Sequence, residues 1–463
     1  MVEYESYQAT PYRWLPQVPK HWIEKTIRQI TFVQSERCGN RKLELLSVYR
    51  EYGVIPKSSR DDNHNKESLD LSNYKVVHVG DLVLNKMKMW QGSLGVSRYE
   101  GIVSPAYIIC KVLNDDINLD YLHLLLRSAR FKSYYNQYSY GIRVGQWDMH
   151  YDDFKNLKIY IPPRAEQDQI VRFLDWKVSE INKLIGIRRK EIQELEELKS
   201  AVITAAITKG LDLNAAMKKT DVYYLPEVPA AWEVTKLKRI CKVGASINEQ
   251  LKKHDDQDEV VFLPMENISE DGQIDCSIKQ PIANVKTGFS SFAKDDVIVA
   301  KITPCFENGK GACLDKLESD IGYGTTELFN LRAGDDVLPE YLYFITMTKL
   351  FRILGEGQMT GTAGQKRVPA DFIRDFTIGR PSIEEQQQIV DYIHAEKERI
   401  DRLIATKHEQ LQALTEFKST VISDVVTGKI DVRGIAVPQY EHFDDIAEDD
   451  SEDVKKETDG EEG

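Results

Sequence analysis

At 463 residues the chain exceeds one ordinary domain, and its length suggests about two to four. With 41% apolar and 29% charged residues, its composition excludes a collagenous, wholly disordered or membrane-embedded protein. The net charge of −13 argues against a nucleic-acid partner only until it is divided along the chain, because Tyr440–Gly463 alone carries −10.

No apolar run reaches the roughly 18 residues of a membrane-spanning helix, and the opening MVEYESYQATPYRWLPQVPK lacks the apolar core of a signal peptide. The expectation is therefore a cytoplasmic chain with no membrane partner. Cys38, Cys110, Cys241, Cys276, Cys305 and Cys313 form no C-x-x-C pair, which fits free thiols and no metal site.

Residues 1–160 read as a first mixed α/β domain. Its segment Tyr12–Tyr160 has a charge balance of +6, enough for an electrostatic footprint for phosphates. VVHVGDLVLNK is a strand-turn-strand candidate, and YLHLLLRSARFKSYY is the clearest helix. KMKMWQGSLGVSRYEG and GIRVGQWD are glycine-bearing loops with basic and aromatic residues. Such loops suit contact with a nucleic-acid groove, the alternative being ordinary tight turns. Residues 161–213 form a helical spacer, and 214–380 read as a second mixed domain. There SSFAKDDVIVAKI is the strand-turn-strand candidate, YLYFITMTKLFRIL the clearest helix, and NGKGACLDK, GYGTTE and GTAGQKRVP the loops. Tyr223–Arg380 has a balance of −5, so a phosphate face there requires its cations to gather on one side. Residues 381–433 form a second spacer, and 434–463 read as an acidic, disordered tail.

The two halves are one unit written twice. Pro162–Leu213 aligns with Pro381–Val432 without a gap, and 18 of 52 positions are identical. LPQVPKHW answers LPEVPAAW, and GDLVLNK answers DDVIVAK. In each spacer, apolar residues recur every three or four positions: Ile170, Leu174, Val178, Ile181, Ile185, Ile192, Leu195 and Val202, then Ile389, Ile393, Ile400, Ile404, Leu411, Leu414 and Val421. This spacing predicts two long helices, each a rod on the order of 65 Å. A rod with one apolar seam needs a partner, and the other copy supplies it in antiparallel pairing with pseudo-twofold symmetry. Arg188/Lys407 and Lys199/Lys418 interrupt both seams at matching places; they either fix the register or snorkel to solvent. The fold class is α+β: two mixed α/β domains separated by two long antiparallel coiled-coil helices.

Catalytic signatures are missing. The sequence has no phosphate-binding G-x-x-x-x-G-K-[ST] loop, no G-x-S-x-G elbow and no H-E-x-x-H helix. Glu197-Leu198-Lys199 and Glu416-Phe417-Lys418 resemble half of a nuclease motif, but heptad packing accounts for them. Asn63-His64-Asn65 lacks surrounding ligands. The expected chain is not an enzyme, and its catalytic and metal sites are none.

PPRAEQDQIVRFLDWKVSEINKLI with LKSAVITAAITKGLD, and PSIEEQQQIVDYIHAEKERIDRLI with FKSTVISDVVTGKID, resemble the specificity subunit of type I DNA restriction-modification systems. The resemblance covers the chain to about Arg433. It implies two target-recognition domains, each reading one half of a split sequence in double-stranded DNA, with the paired helices setting the spacing. Implied partners are two methyltransferase subunits and motor-nuclease subunits. S-adenosylmethionine, ATP and Mg belong to those partners, so this chain needs no cofactor. Implied DNA contacts are Lys86, Lys88, Trp90, Gln91, Arg143 and Gln146 in the first domain. In the second they are Lys301, Asn308, Lys310, Thr325, Thr326, Gln365, Lys366 and Arg367. Trp90 and Trp147 are alternatively core residues. Glu166, Gln167, Glu385 and Gln386 either cap their helices or meet the partner subunit. The competing readings are a structural scaffold without sequence readout and a fused methyltransferase-nuclease.

Overall fold

A computed structural model describes residues 2–50, 52–59, 70–113, 115–139, 147–362 and 364–444. Two helices dominate it, Arg164–Lys209 with 46 residues and Ile383–Val426 with 44, each about 65–70 Å long at 1.5 Å per residue. Two compact units divide the chain. One is built on Met1–Arg189 and the described residues from Glu409 on, the other on Lys190–His408. Each unit therefore holds one globular head, the first half of the rod that follows it and the last half of the other rod. The units cut across both rods, because apolar residues at the end of the first rod bury themselves in the head that follows it, and those at the end of the second rod in the head at the start of the chain. Val421, Val425 and Val426 share a core with Leu15, Tyr121 and Ile159. Ile203, Ala206 and Ile207 share one with Trp232, Leu237 and Tyr341.

The heads repeat each other strand for strand. In the first, an antiparallel sheet runs Thr31–Gln34, Ile108–Val112, Leu82–Leu84, Leu94–Val96. In the second it runs Cys241–Val243, Leu328–Ala333, Val297–Ala300, Gly311–Cys313. The opening hairpins, Tyr7–Tyr12 with Leu15–Pro19 and Met217–Val222 with Leu225–Pro229, share one register and one irregularity. The predicted turns before the central strands are present, and they need left-handed backbone. Gly80 supplies it in one head (φ 92°) and Asp295 in the other (φ 67°). The next residue, Asp81 or Asp296, is buried and accepts the backbone N–H of His78 or Ala293 at 2.8 Å. The second head adds a four-stranded sheet around Glu259–Leu263, which pairs in parallel with Ile321–Gly324. The corresponding part of the first head has two-stranded pairings among its described residues.

Each segment predicted as a single head helix is two. Leu119–Arg127 stops at Ser128 before Ala129–Tyr138, and Pro339–Met347 stops at Thr348 before Lys349–Glu356. Both dividing residues have extended backbone, and the Thr348 hydroxyl accepts from Phe351 N, an N-cap whose hydroxyl competes with helix continuation.

Within the second unit the rods run antiparallel: Lys199 pairs with Asp401 at 2.8 Å and Lys407 with Glu191 at 3.0 Å, so one index rises as the other falls. These two seam lysines neither lie bare in the core nor snorkel away. They are about three-quarters covered and joined to carboxylates of the facing helix. The seam is fully buried at Ile170, Leu174, Ile389, Ile393 and Ile400, and half-buried at Leu195, Ile404, Leu411 and Leu414. A pair of helices covers only one stripe of each, and the heads complete the burial at the ends.

The side chains of the Glu-Gln pairs at the rod starts bond inside the heads and do not cap their helices as one expectation had it. Gln167 is 1% exposed; its Nε2 donates to the carbonyls of Asp116 (3.0 Å) and Pro162 (2.9 Å), and its Oε1 accepts from Asn118 N (2.8 Å). Gln386, 0% exposed, repeats this with Asp336 O (3.0 Å), Pro381 O (3.1 Å) and Leu338 N (2.9 Å). Glu166 accepts from Tyr4 Oη (2.7 Å), Trp22 Nε1 (3.0 Å) and His21 Nε2 (2.7 Å), and Glu385 accepts from Trp232 Nε1 (2.9 Å). No side-chain oxygen of these residues caps its own helix. Ser382 does so for the second rod, and the Pro163 carbonyl takes the first rod's early N–H groups. Buried loop donors and acceptors cannot reach water, so the nearest amide satisfies them.

The tail departs from expectation as well. Ile435 and Val437 pack on the first core. Ser179 Oγ donates to Glu441 O and accepts from Phe443 N, while Asn182 Nδ2 donates to Phe443 O. Lys183 lies 4.9 Å over the Phe443 ring. Residues 434–444 are thus a strap on the first rod, because apolar residues precede the acidic run. Residues 445–463 lie outside the described ones.

Two outcomes follow from these packings. Gln386→Ala strands three buried backbone groups and is expected to lower stability by about 2–4 kcal/mol in denaturant unfolding, against less than about 0.5 kcal/mol for exposed Gln387→Ala. In the first head, burial pushes the His123 imidazole down to about 3, with the Arg127 and Arg98 cations helping; its Nδ1 accepts from Val96 N at 3.2 Å. The folded state then refuses a proton that the unfolded chain takes near pH 6.5. Stability is intact above that value and falls as pH drops toward 3, by at most about 1.4 kcal/mol per pH unit. His123→Gln is expected to remove this slope from an acid titration of unfolding; an unchanged slope would place its origin elsewhere.

Candidate nucleic-acid interface

Both heads present the same kind of turn, at the end of the hairpin that leaves the central strand. In the first, Lys86–Gln91 forms a short 3-10 turn closed by Gly92 at φ 91°. In the second, residues 301–310 close at Gly309, φ 88°. Gly92 N donates to Met89 O (2.8 Å) and Gly309 N to Phe306 O (3.0 Å). Met89 and Phe306 are buried, so an apolar plug holds each turn.

In the second head the turn is joined to a segment much later in the chain. Thr303 N donates to Lys366 O (3.0 Å), Val368 N to Lys301 O (2.9 Å) and Lys301 N to Glu327 O (2.9 Å). These bonds bring together Lys301, Thr325, Thr326, Gln365, Lys366 and Arg367, of which Thr326, Gln365, Lys366 and Arg367 are exposed. Lys301 Nζ stands 5.4 Å over the Phe329 ring. Arg367 grips Glu327 with two parallel bonds, Nε to Oε2 at 2.9 Å and Nη2 to Oε1 at 2.8 Å. This charge-assisted fork holds the Glu327 carboxyl below its ordinary range and raises the guanidinium. Asn308 and Lys310 point elsewhere, Asn308 Nδ2 to Glu270 Oε1 (2.9 Å) and Lys310 Nζ to Met265 O (3.0 Å). They brace the turn against the 265–270 segment.

In the first head Lys86 pairs with Asp148 at 3.5 Å, and Met149 N donates to Lys86 O. Lys88 is exposed, and Gln91 Oε1 accepts from Arg50 Nη2 at 3.4 Å. Trp90 is half-buried: its ring meets Trp147 edge-on at 5.4 Å, and its indole N–H is buried. Arg143 and Gln146 lie outside the described residues, as does Asn63-His64-Asn65. Sequence reading missed Glu327, which neutralises Arg367, and Arg332, which forks onto buried Asp296 at 2.7 and 2.8 Å. The aligned Asp81 and Asp296 were the available signal for the second. Nothing local marks the first.

A duplicated head with a cationic, hydrogen-bonding turn on each copy, mounted on paired helices, defines a protein built for recognition. Residues 19–200 and 229–415 match the family described as the type I restriction modification DNA specificity domain, and the chain belongs to that family. Over 167 residues it is 43% identical to the type I restriction enzyme EcoAI specificity subunit of Escherichia coli, a match covering 35% of this chain and 28% of that one. Such matches span less than a third of those relatives' length. It is 24% identical over 437 residues to the type I restriction enzyme MjaVIII specificity subunit of Methanocaldococcus jannaschii, covering 90% and 95% of the two chains. A solved structure described as the basis of complex assembly and conformational transition of the type I R-M system shares the fold, with TM-score 0.62, 14% identity and coverage of 91% and 100%. Among the described residues no helix is long and apolar enough to cross a membrane.

Glu327 sets the charge of the second face. Glu327→Gln removes one negative charge and loosens Arg367, so affinity for nonspecific duplex DNA is expected to rise about three- to tenfold at low salt, with a salt slope steeper by about one. Fluorescence anisotropy across a salt series reads both; no change in either means that Arg367 does not face phosphate.

Proposed function

We propose that this chain is the DNA-reading component of a type I restriction-modification complex, each head reading one half of a bipartite target and the rods setting the spacing between halves. The observation that carries the reading is the repetition of one turn, with glycine closure and apolar plug, on two heads that share a central sheet and differ in the strands around it. A protein that reads two different half-sites keeps the mounting and varies what it mounts. Phosphate anchoring suits Lys86, Lys88, Lys301 and Lys366; base-edge readout suits Gln365 and Arg367, whose fork matches guanine O6 and N7 once it leaves Glu327. Methyl transfer and ATP-driven cleavage fall to two methyltransferase subunits and motor-nuclease subunits, which hold S-adenosylmethionine, ATP and Mg.

Footprinting of the assembled complex tests this reading. Two protected blocks flanking an unprotected spacer are expected, whereas protection indifferent to sequence would favour a scaffold. Arg367→Ala is expected to weaken discrimination by about 1–3 kcal/mol at a single position and in one block only. Loss spread over both blocks would contradict the division of labour between heads.

A further inference from the structure

Behind each recognition turn stands the second helix of the head's helix pair, and in both heads its fourth residue is a cation aimed at the turn. In Lys349–Glu356 this residue is Arg352, 7% exposed. Its Nη1 donates to Phe306 O at 2.8 Å and its Nη2 to Gly309 O at 3.2 Å, and the guanidinium stacks 4.8 Å over the Phe306 ring. It thereby ties together the plug and the closing glycine of the turn. In Ala129–Tyr138 the residue is Lys132. Its stem passes so close to Gly92 that a Cβ added there would meet Lys132 Cε at 2.7 Å. Gly355, one helical turn beyond Arg352 on a flank of the same helix, lacks the side chain that would collide with Phe306.

A buried guanidinium is costly to desolvate unless its donors are used, and here two of its donors go to backbone carbonyls of a single turn. Burial pulls the group down to about 10, with partial compensation from Tyr343 and Glu307, so it stays charged at neutral pH. An apolar residue could fill the volume but could not hold two carbonyls in a fixed direction.

We propose that Arg352 determines the sequence selectivity of the second head without touching DNA, by fixing the 301–310 turn to which the segment carrying Gln365 and Arg367 is bonded through Lys301 and Thr303. This rests on the DNA-reading function proposed above. Base readout tolerates little displacement of donors and acceptors, so release of the turn from its brace leaves the phosphate contacts and misaligns Gln365 and Arg367 on the segment bonded to it.

Selection from a random-sequence duplex library with the full chain in its native complex separates these possibilities. Arg352→Met is expected to cut enrichment about tenfold in one half-site, leaving the other half-site and the salt slope unchanged, while Arg352→Lys retains most of the selectivity. Thermal melting run in parallel checks folding, and Arg352→Gln is read in the same way where Met does not fold. Selectivity kept in both halves, equal loss in both, or a shallower salt slope would overturn the brace. If the unsubstituted complex enriches no sequence, the DNA-reading function itself fails, and the brace with it.

Discussion

The structure depends on the closure of each head by the last turn of the other rod. At Gly210 (φ 73°) the first rod ends against Trp232 and Glu385; at Gly428 (φ 75°) the second ends against Pro19 and Trp22. Any side chain at either glycine would be strained by the left-handed backbone and crowded by the tryptophan. The buried tyrosines complete the junction: Tyr121 Oη donates to Val426 O at 3.1 Å, and Tyr341 Oη lies 3.5 Å from Ile207 O. Trp22 and Trp232 each donate to the glutamate that starts the neighbouring rod. Glutamate, tryptophan and glycine thus meet at one point, twice, and each comes from a different stretch of the chain.

This junction explains why the chain repeats its E-Q hexapeptide. A head whose core is completed by the end of the other rod gains little stability until both rods are in place, so folding of heads and rods is coupled. The ion pairs between the rods contribute little by comparison, since partly exposed pairs are worth about 0–1 kcal/mol each. They specify alignment, while the apolar ends supply the driving force. The turns at Lys86–Gln91 and 301–310 are built on this frame by short-range means, a buried apolar plug and a left-handed glycine.

The fold was largely legible because it is carried by patterns with a fixed period. The rods follow from apolar residues at Ile170, Leu174, Ile389 and Ile393, and the central strands from GDLVLNK and DDVIVAK. What escaped was set by tertiary competition. Ser128 and Thr348 break helices whose apolar spacing continues through them. Gln167 and Gln386 turn inward because loops at Asn118 and Leu338 present unpaired backbone groups that no local motif announces. The face was half legible: Gln365, Lys366 and Arg367 lie together with Lys301, whereas Asn308 and Lys310 are drawn to the 265–270 segment. Glu327 was invisible as a partner because forty residues separate it from Arg367.

Native-state hydrogen exchange of the full chain tests the shared closure most directly. Amides of Ser423–Val426 are expected to exchange with the same free energy, and the same denaturant dependence, as those around Tyr121, and amides of Ile203–Ile207 with those around Tyr341. Rod ends that open with one another, independently of the heads, would contradict it.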